Sequence, residues 1–145
     1  MKKYIFTLVM LLLISVFCFG CSKQGIIKSV STSDCIELLL YADGSGLYSK
    51  NISGTITVNI DEKYDGKSLR TVLKYREGRL YPATLYDQTK EISTNYSFSF
   101  DKTVDGISGE VVKGNTKDFS LYIYDGEKLL GTYKFNISFG RPKEN

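Results

Sequence analysis

Histidine and tryptophan are both missing from the 145 residues. Without histidine there is no His-based catalytic triad, no member of the commonest class of metal ligand, and no side chain that titrates near neutrality without perturbation. Proline, with two residues, and cysteine, with three, are scarce as well. So few cysteines exclude a disulfide scaffold. No run of like charge marks a nucleic-acid surface: residues 22–145 lose Lys2 and Lys3, so 19 basic side chains become 17 against 16 acidic, a net charge of +1. A nucleic-acid partner would want a basic face, so that class is set aside.

Long apolar runs are also rare, and the single one is informative. Lys2 and Lys3 precede an apolar stretch from Tyr4 to Phe19 that stops at Gly20-Cys21. A short basic start, an apolar middle and a small residue before a cut site is the pattern of an export signal. Cys18-Phe19-Gly20-Cys21 resembles the lipobox of bacterial lipoproteins, matching it at Gly20 and Cys21 and departing from it at Cys18 and Phe19. The resemblance covers residues 1–21 only. It implies cleavage before Cys21, acylation of that sulfur and a lipid-anchored life in the cell envelope. Ser22 after the cysteine is similar to the enterobacterial pattern for the outer membrane ahead of the inner. Two other fates stay open: cleavage without acylation, and an uncut membrane helix, which the run nearly has the length for. With Cys18 removed and Cys21 acylated, Cys35 is the remaining thiol, expected to be buried as a small hydrophobe.

The domain plan follows: signal peptide 1–20, lipidated N-terminus and polar tether 21–34, of which the part near Ile26 to Val30 could add an edge strand, folded domain 35–140, tail 141–145. Beyond the signal the dominant pattern has a period of two. Ile56, Val58 and Ile60 alternate with Thr55, Thr57 and Asn59, and Tyr96, Phe98 and Phe100 with Ser97 and Ser99. Phe119, Leu121 and Ile123 alternate with Ser120, Tyr122 and Tyr124, and Tyr133, Phe135, Ile137 and Phe139 with Thr132, Lys134, Asn136 and Ser138. This is the signature of strands with one buried face. Asp125-Gly126 and Glu77-Gly78 mark hairpins, the latter between Leu69–Arg76 and Arg79–Tyr86, and Asp43-Gly44, Asp65-Gly66 and Asp105-Gly106 mark three more turns. Pro82 places the Arg79–Tyr86 strand at a sheet edge. Cys35 to Tyr41 reads as a fully buried strand ahead of a short capped helix. The expected fold is all-β: a single antiparallel, immunoglobulin-like β-sandwich of seven or eight strands, with a small β-barrel as the alternative.

Chemistry-bearing motifs are sparse. Asp61 with Asp65 and Asp101 with Asp105 invite a calcium reading, but Lys63 and Lys102 fall among the acids and the alternating oxygen ligands are missing, so they read as polar turns and no metal or cofactor is expected. Cys35 has no histidine to activate it, and Ser45 between two glycines lacks the rest of a nucleophile elbow. The expectation is a non-catalytic protein. Tyrosine is abundant, eleven in all. Tyr122 and Tyr124 should face outward beside Lys134, with Tyr75 and Tyr81 as additions from a second hairpin, forming a face for a protein or glycan partner. The reading is therefore an envelope lipoprotein held to the membrane by its lipid, serving as a binding module. A carrier of a small apolar ligand in a barrel and a carboxylate-based hydrolase stand as alternatives.

Overall fold

Alternation sets the strands. The computed structural model describes residues 25–42, 44, 46–77, 81–108, 118–137 and 139. The signal, Cys21 and the whole of the proposed tail lie outside the described residues, as do Asp43 and Gly78 of two expected turns. Seven strands follow in order: β1 (Ile27–Ala42), β2 (Leu47–Ile60), β3 (Lys67–Arg76), β4 (Ala83–Ile92), β5 (Asn95–Ser108), β6 (Asp118–Asp125) and β7 (Lys128–Phe135), with one turn of 3-10 helix at Glu62–Tyr64. In β2, Ile52, Ile56, Val58 and Ile60 are wholly buried, and in β6 so are Phe119, Leu121 and Ile123. The intervening Ser, Thr and Tyr residues face out.

All pairings are antiparallel and form two sheets, of order β1-β2-β5 and β4-β3-β6-β7. The sheets remain separate and do not close into a barrel. Strands 1, 2 and 5 share one sheet while 3, 6 and 7 share the other, which is the partition of an immunoglobulin-like sandwich. Here β4 lies beside β3 at the sheet edge. Between the sheets, Tyr75 packs on Phe119 with ring centroids 4.9 Å apart, and Tyr86 stacks on Phe98 at 4.2 Å. Buried Tyr96 hydrogen-bonds through its hydroxyl to Thr71 Oγ1 at 2.9 Å, so this polar pair enters the core satisfied.

Several boundaries differ from the sequence expectation. The polar stretch expected to be tether belongs to the domain from Gly25 onward: Ile26 and Ile27 are buried, and β1 pairs with β2 from Ile27. Three apolar residues suffice because backbone pairing, not a second apolar face, holds an edge strand there. Cys35–Tyr41 is strand and not helix, but it is not fully buried. It is an edge strand on which Leu38, Leu39 and Leu40 are 46, 60 and 50 % exposed. The strand expected at Arg79–Tyr86 begins only at Ala83 and runs to Ile92. It does lie at a sheet edge, just past Pro82. Its polar second half, Asp87 to Glu91, hid it from a search for alternation. β7 ends at Phe135, earlier than the alternation suggests, although Ile137 is still buried and Phe139 packs against the core.

Asp105-Gly106 is a bulge and not a turn. Lys50 pairs with Val104 and Tyr48 with Ile107, so Asp105 and Gly106 together oppose Ser49, and Gly106 takes the positive φ of 69° that such an insertion demands. A second irregularity in β1, with Asp34 at φ 52°, turns Cys35 inward onto Gly54. A Cβ added at Gly54 would lie 2.6 Å from Cys35 Sγ and 3.2 Å from Cys35 Cα. Gly54→Ala is therefore expected to destabilise the fold by about 1–3 kcal/mol through overpacking. Urea denaturation should show partial recovery in Gly54→Ala/Cys35→Ala, because removing the sulfur removes the nearest clash. No recovery would show that the backbone contact controls the site.

Candidate functional site

Register fixes what each sheet shows to solvent. On the four-stranded sheet, β3 and β6 pair Arg70 with Tyr124, Val72 with Tyr122, Lys74 with Ser120 and Arg76 with Asp118, while β6 and β7 pair Ser120 with Lys134 and Tyr122 with Thr132. Facing partners in an antiparallel ladder share a side, so the expected trio Tyr122, Tyr124 and Lys134 comes to one outer face. Four residues that the sequence reading did not single out join it: Arg70, Val72, Lys74 and Arg76. The missing signal was the pairing of β3 with β6, which a single sequence does not reveal.

This face is built of cations over aromatic rings. Tyr122 and Tyr124 stack with centroids 6.4 Å apart. Lys74 Nζ lies 5.6 Å from the Tyr122 centroid and the Arg70 guanidinium 5.8 Å from that of Tyr124, both within cation–π range. Val72 points outward yet is only 4 % exposed. An apolar floor thus underlies the charged layer. Arg70 donates from Nε and Nη2 to the two carboxylate oxygens of Asp87, at 2.7 and 2.6 Å. That bidentate bond raises the guanidinium pKa and lowers that of the Asp87 carboxyl below the ordinary aspartate value.

The two remaining sequence candidates do not belong to this face. Tyr75 is wholly buried: Leu69, Leu73 and Tyr75 share the inner side of β3, so the ring joins the core, beneath the depression that Lys74 and Arg76 line on the outside. Tyr81 stands 73 % exposed just before β4, apart from the ladder that aligns the others.

A second cluster, not anticipated from the sequence, lies between the sheets. Lys50, on the inner side of β2, contacts Glu37 of β1 and sits 3.2 and 3.1 Å from the two carboxylate oxygens of Glu77, just past β3. The Tyr75 hydroxyl donates to Glu77 Oε2, and the Lys50 ammonium lies 5.3 Å from the centre of the Tyr48 ring. Glu77 is 1 % and Lys50 8 % exposed. Burial alone would lower the lysine pKa, but hydrogen bonds and charge from Glu37 and Glu77 outweigh it, and the net direction is up. Burial first, and then Glu77, push the Tyr75 phenol up as well. An ammonium so held is a structural cation, not a nucleophile. The signal was present in the sequence, because extending the alternation of β2 back to residue 50 and of β3 on to residue 77 puts both charges inside.

Three of the four carboxylates considered for calcium serve the protein's own donors. Asp61 Oδ1 accepts from the Lys63 amide at 3.1 Å, Asp65 Oδ1 from the Thr94 amide at 2.8 Å and hydroxyl at 3.1 Å, and Asp101 Oδ1 from Asn51 Nδ2 at 2.8 Å. No cluster of three acidic, cysteine or histidine side chains suited to a metal occurs among the described residues. Cys35 is buried, and burial raises its thiol pKa, which keeps the unreactive protonated form. No family model matches the chain, and no curated protein shows significant similarity to it.

Proposed function

We propose that this chain is a lipid-anchored protein of the bacterial cell envelope whose sandwich is a non-catalytic binding module, engaging its partner through the outer face of the four-stranded sheet. The observation that carries the reading is the layer of Arg70, Lys74, Tyr122 and Tyr124 over buried Val72. Large rigid rings with polar tips, fixed on paired strands beside cations, present contact area at little cost in ordering. The two separate sheets and the wholly buried Ile52, Leu73, Phe119 and Leu121 between them favour this reading over a ligand-carrying barrel. The anchor half of the reading rests on Gly20-Cys21 after the apolar run.

One experiment addresses both halves. A photo-crosslinking residue placed at Tyr122 in intact cells should give adducts in the envelope fraction, and the same residue at Thr57, on the opposite sheet, should not. Cys21→Ala should move the chain from the membrane pellet to the soluble fraction. Adducts of equal yield at both positions would overturn the binding face, and a Cys21→Ala chain that still pellets after salt washing would overturn the anchor.

A further inference from the structure

The two outer faces of the sandwich differ in kind. The three-stranded sheet shows rows of small uncharged groups: Ser31 beside Thr57 beside Ser97, and Ser33 beside Thr55 beside Ser99. They satisfy one another, with Thr57 and Ser97 hydroxyls 2.7 Å apart and Thr55 and Ser99 3.1 Å apart. The four-stranded sheet instead gathers cations. Arg70 is neutralised by Asp87, but Lys74, Arg76 and Lys134 have no carboxylate within ion-pair distance among the described residues. In a chain whose residues 22–145 are nearly balanced in charge, this is a local excess.

That excess surrounds a groove. A depression of about 390 Å³ is lined by Lys74, Arg76, Ser120, Tyr122, Lys134 and Asn136, with Asp118 the single acid among its lining residues. A second, of about 400 Å³, is lined by Arg70, Val72 and Tyr124 among others and shares Lys74 with the first. Together they make an elongated site, net positive at one end and charge-balanced at the other, floored by aromatic and apolar side chains. The strands beneath, β3 and β6, are each hydrogen-bonded on both sides, so no backbone group is free to pair with a peptide strand. An occupant must be read by side chains alone.

Position narrows the source of the anion. Gly25, the 3-10 turn at Glu62–Tyr64 and the Gly126 hairpin lie at one end of the sandwich. Arg76, Lys134 and Asn136 lie toward the other. From Arg70 to Arg76 the face extends about 20 Å at roughly 3.3 Å per residue. An anchor at Cys21, four residues before Gly25, would hold the first end at the bilayer and leave the cationic end pointing away from it. The headgroups of the anchoring membrane are therefore the wrong source.

We propose that this groove binds an extended anionic polysaccharide, its acidic groups held by Lys74, Arg76 and Lys134 and the C–H faces of its sugar rings laid on Tyr122 and Tyr124. The inference rests on the binding-face reading above and supplies its ligand class. Charge-assisted hydrogen bonds give the cations their grip, and the rings exclude water from one side of the chain.

The test uses the full mature chain in detergent, titrated with polygalacturonate and dextran phosphate, and with methyl-esterified polygalacturonate and plain dextran as neutral counterparts. Both acidic polymers should bind and weaken with added salt, and the neutral ones should not bind. Arg76→Gln/Lys134→Gln should lose about tenfold or more in affinity while keeping its melting temperature. Tyr122→Ser/Tyr124→Ser should lose affinity for the same polymers at equal salt. Binding of neither acidic polymer, equal binding of the neutral forms, equal binding of poly-glutamate, or indifference to the charge variant would overturn the proposal. Should crosslinking at position 122 persist in cells while the acidic polymers fail, the face stands as a binding surface and only its ligand class falls.

Discussion

Lys50→Ala should cost about 3–5 kcal/mol, the usual penalty for removing one partner of a buried ion pair. The reason is what it leaves behind. Glu37 and Glu77 converge on the same ammonium from different strands, and with the lysine gone two carboxylates face each other inside the sandwich. Tyr75 can donate to one oxygen only. Removing all the charge at once is a different matter. Lys50→Met/Glu37→Gln/Glu77→Gln should lie much closer to the native stability than Lys50→Ala does, because a desolvation cost vanishes along with the attraction. Urea denaturation of the three proteins at pH 7 measures both effects. A Lys50→Ala loss under about 1 kcal/mol would class the cluster with solvent-screened surface pairs.

That cluster also shows where reading the chain alone succeeds and where it stops. The period of two was plain in β2, β5 and β6, because each buries one face completely and leaves Ser, Thr or Tyr on the other. Fold class and the turns at Asp65-Gly66 and Asp125-Gly126 follow from this. Edge strands were harder. β1 carries exposed leucines, and β4 carries Asp87, Gln88, Lys90 and Glu91, because an edge strand has fewer neighbours to cover its side chains. The Asp-Gly at 105–106 has the composition of a turn, and only the partner strand shows that one residue opposes two. Tyr75 sits between Lys74 and Arg76, and that alternation alone turns it inward, against the surface role its polar tip suggests. The cationic side of the proposed face belongs to β3, and its meeting with Tyr122 and Tyr124 depends on a pairing that crosses more than forty residues.

Alkali should unfold this protein more steeply than acid does, and the sign follows from where its phenols sit. Burial pushes the Tyr96 hydroxyl up to about 12, the bond to Thr71 opposing that rise only in part. Tyr75 moves in the same direction, and Lys50 gains affinity for its proton from its two carboxylates. Each group has a folded pKa above its unfolded one, near 10 for tyrosine. The unfolded chain therefore releases these protons first. The stabilisation is fully present below about pH 10 and is lost as pH climbs through the folded values. For Tyr96 alone, a gap of about two pH units corresponds to roughly 3 kcal/mol, and the ring is only 7 % exposed, so little of this is screened away. Urea denaturation between pH 8 and 12 should give a stability that is flat below about pH 10 and falls above it, by up to about 1.4 kcal/mol per pH unit for each such phenol. Tyrosinate absorbance from the buried rings should rise together with the loss of structure. Tyr96→Phe provides the control. It should cost about 1 kcal/mol at neutral pH, because the Thr71 hydroxyl loses its partner, and it should flatten the alkaline limb by one phenol's share. An alkaline limb of the same steepness with and without the Tyr96 hydroxyl would mean that this phenol ionises without unfolding the sandwich, and the coupling argued from its burial would be lost.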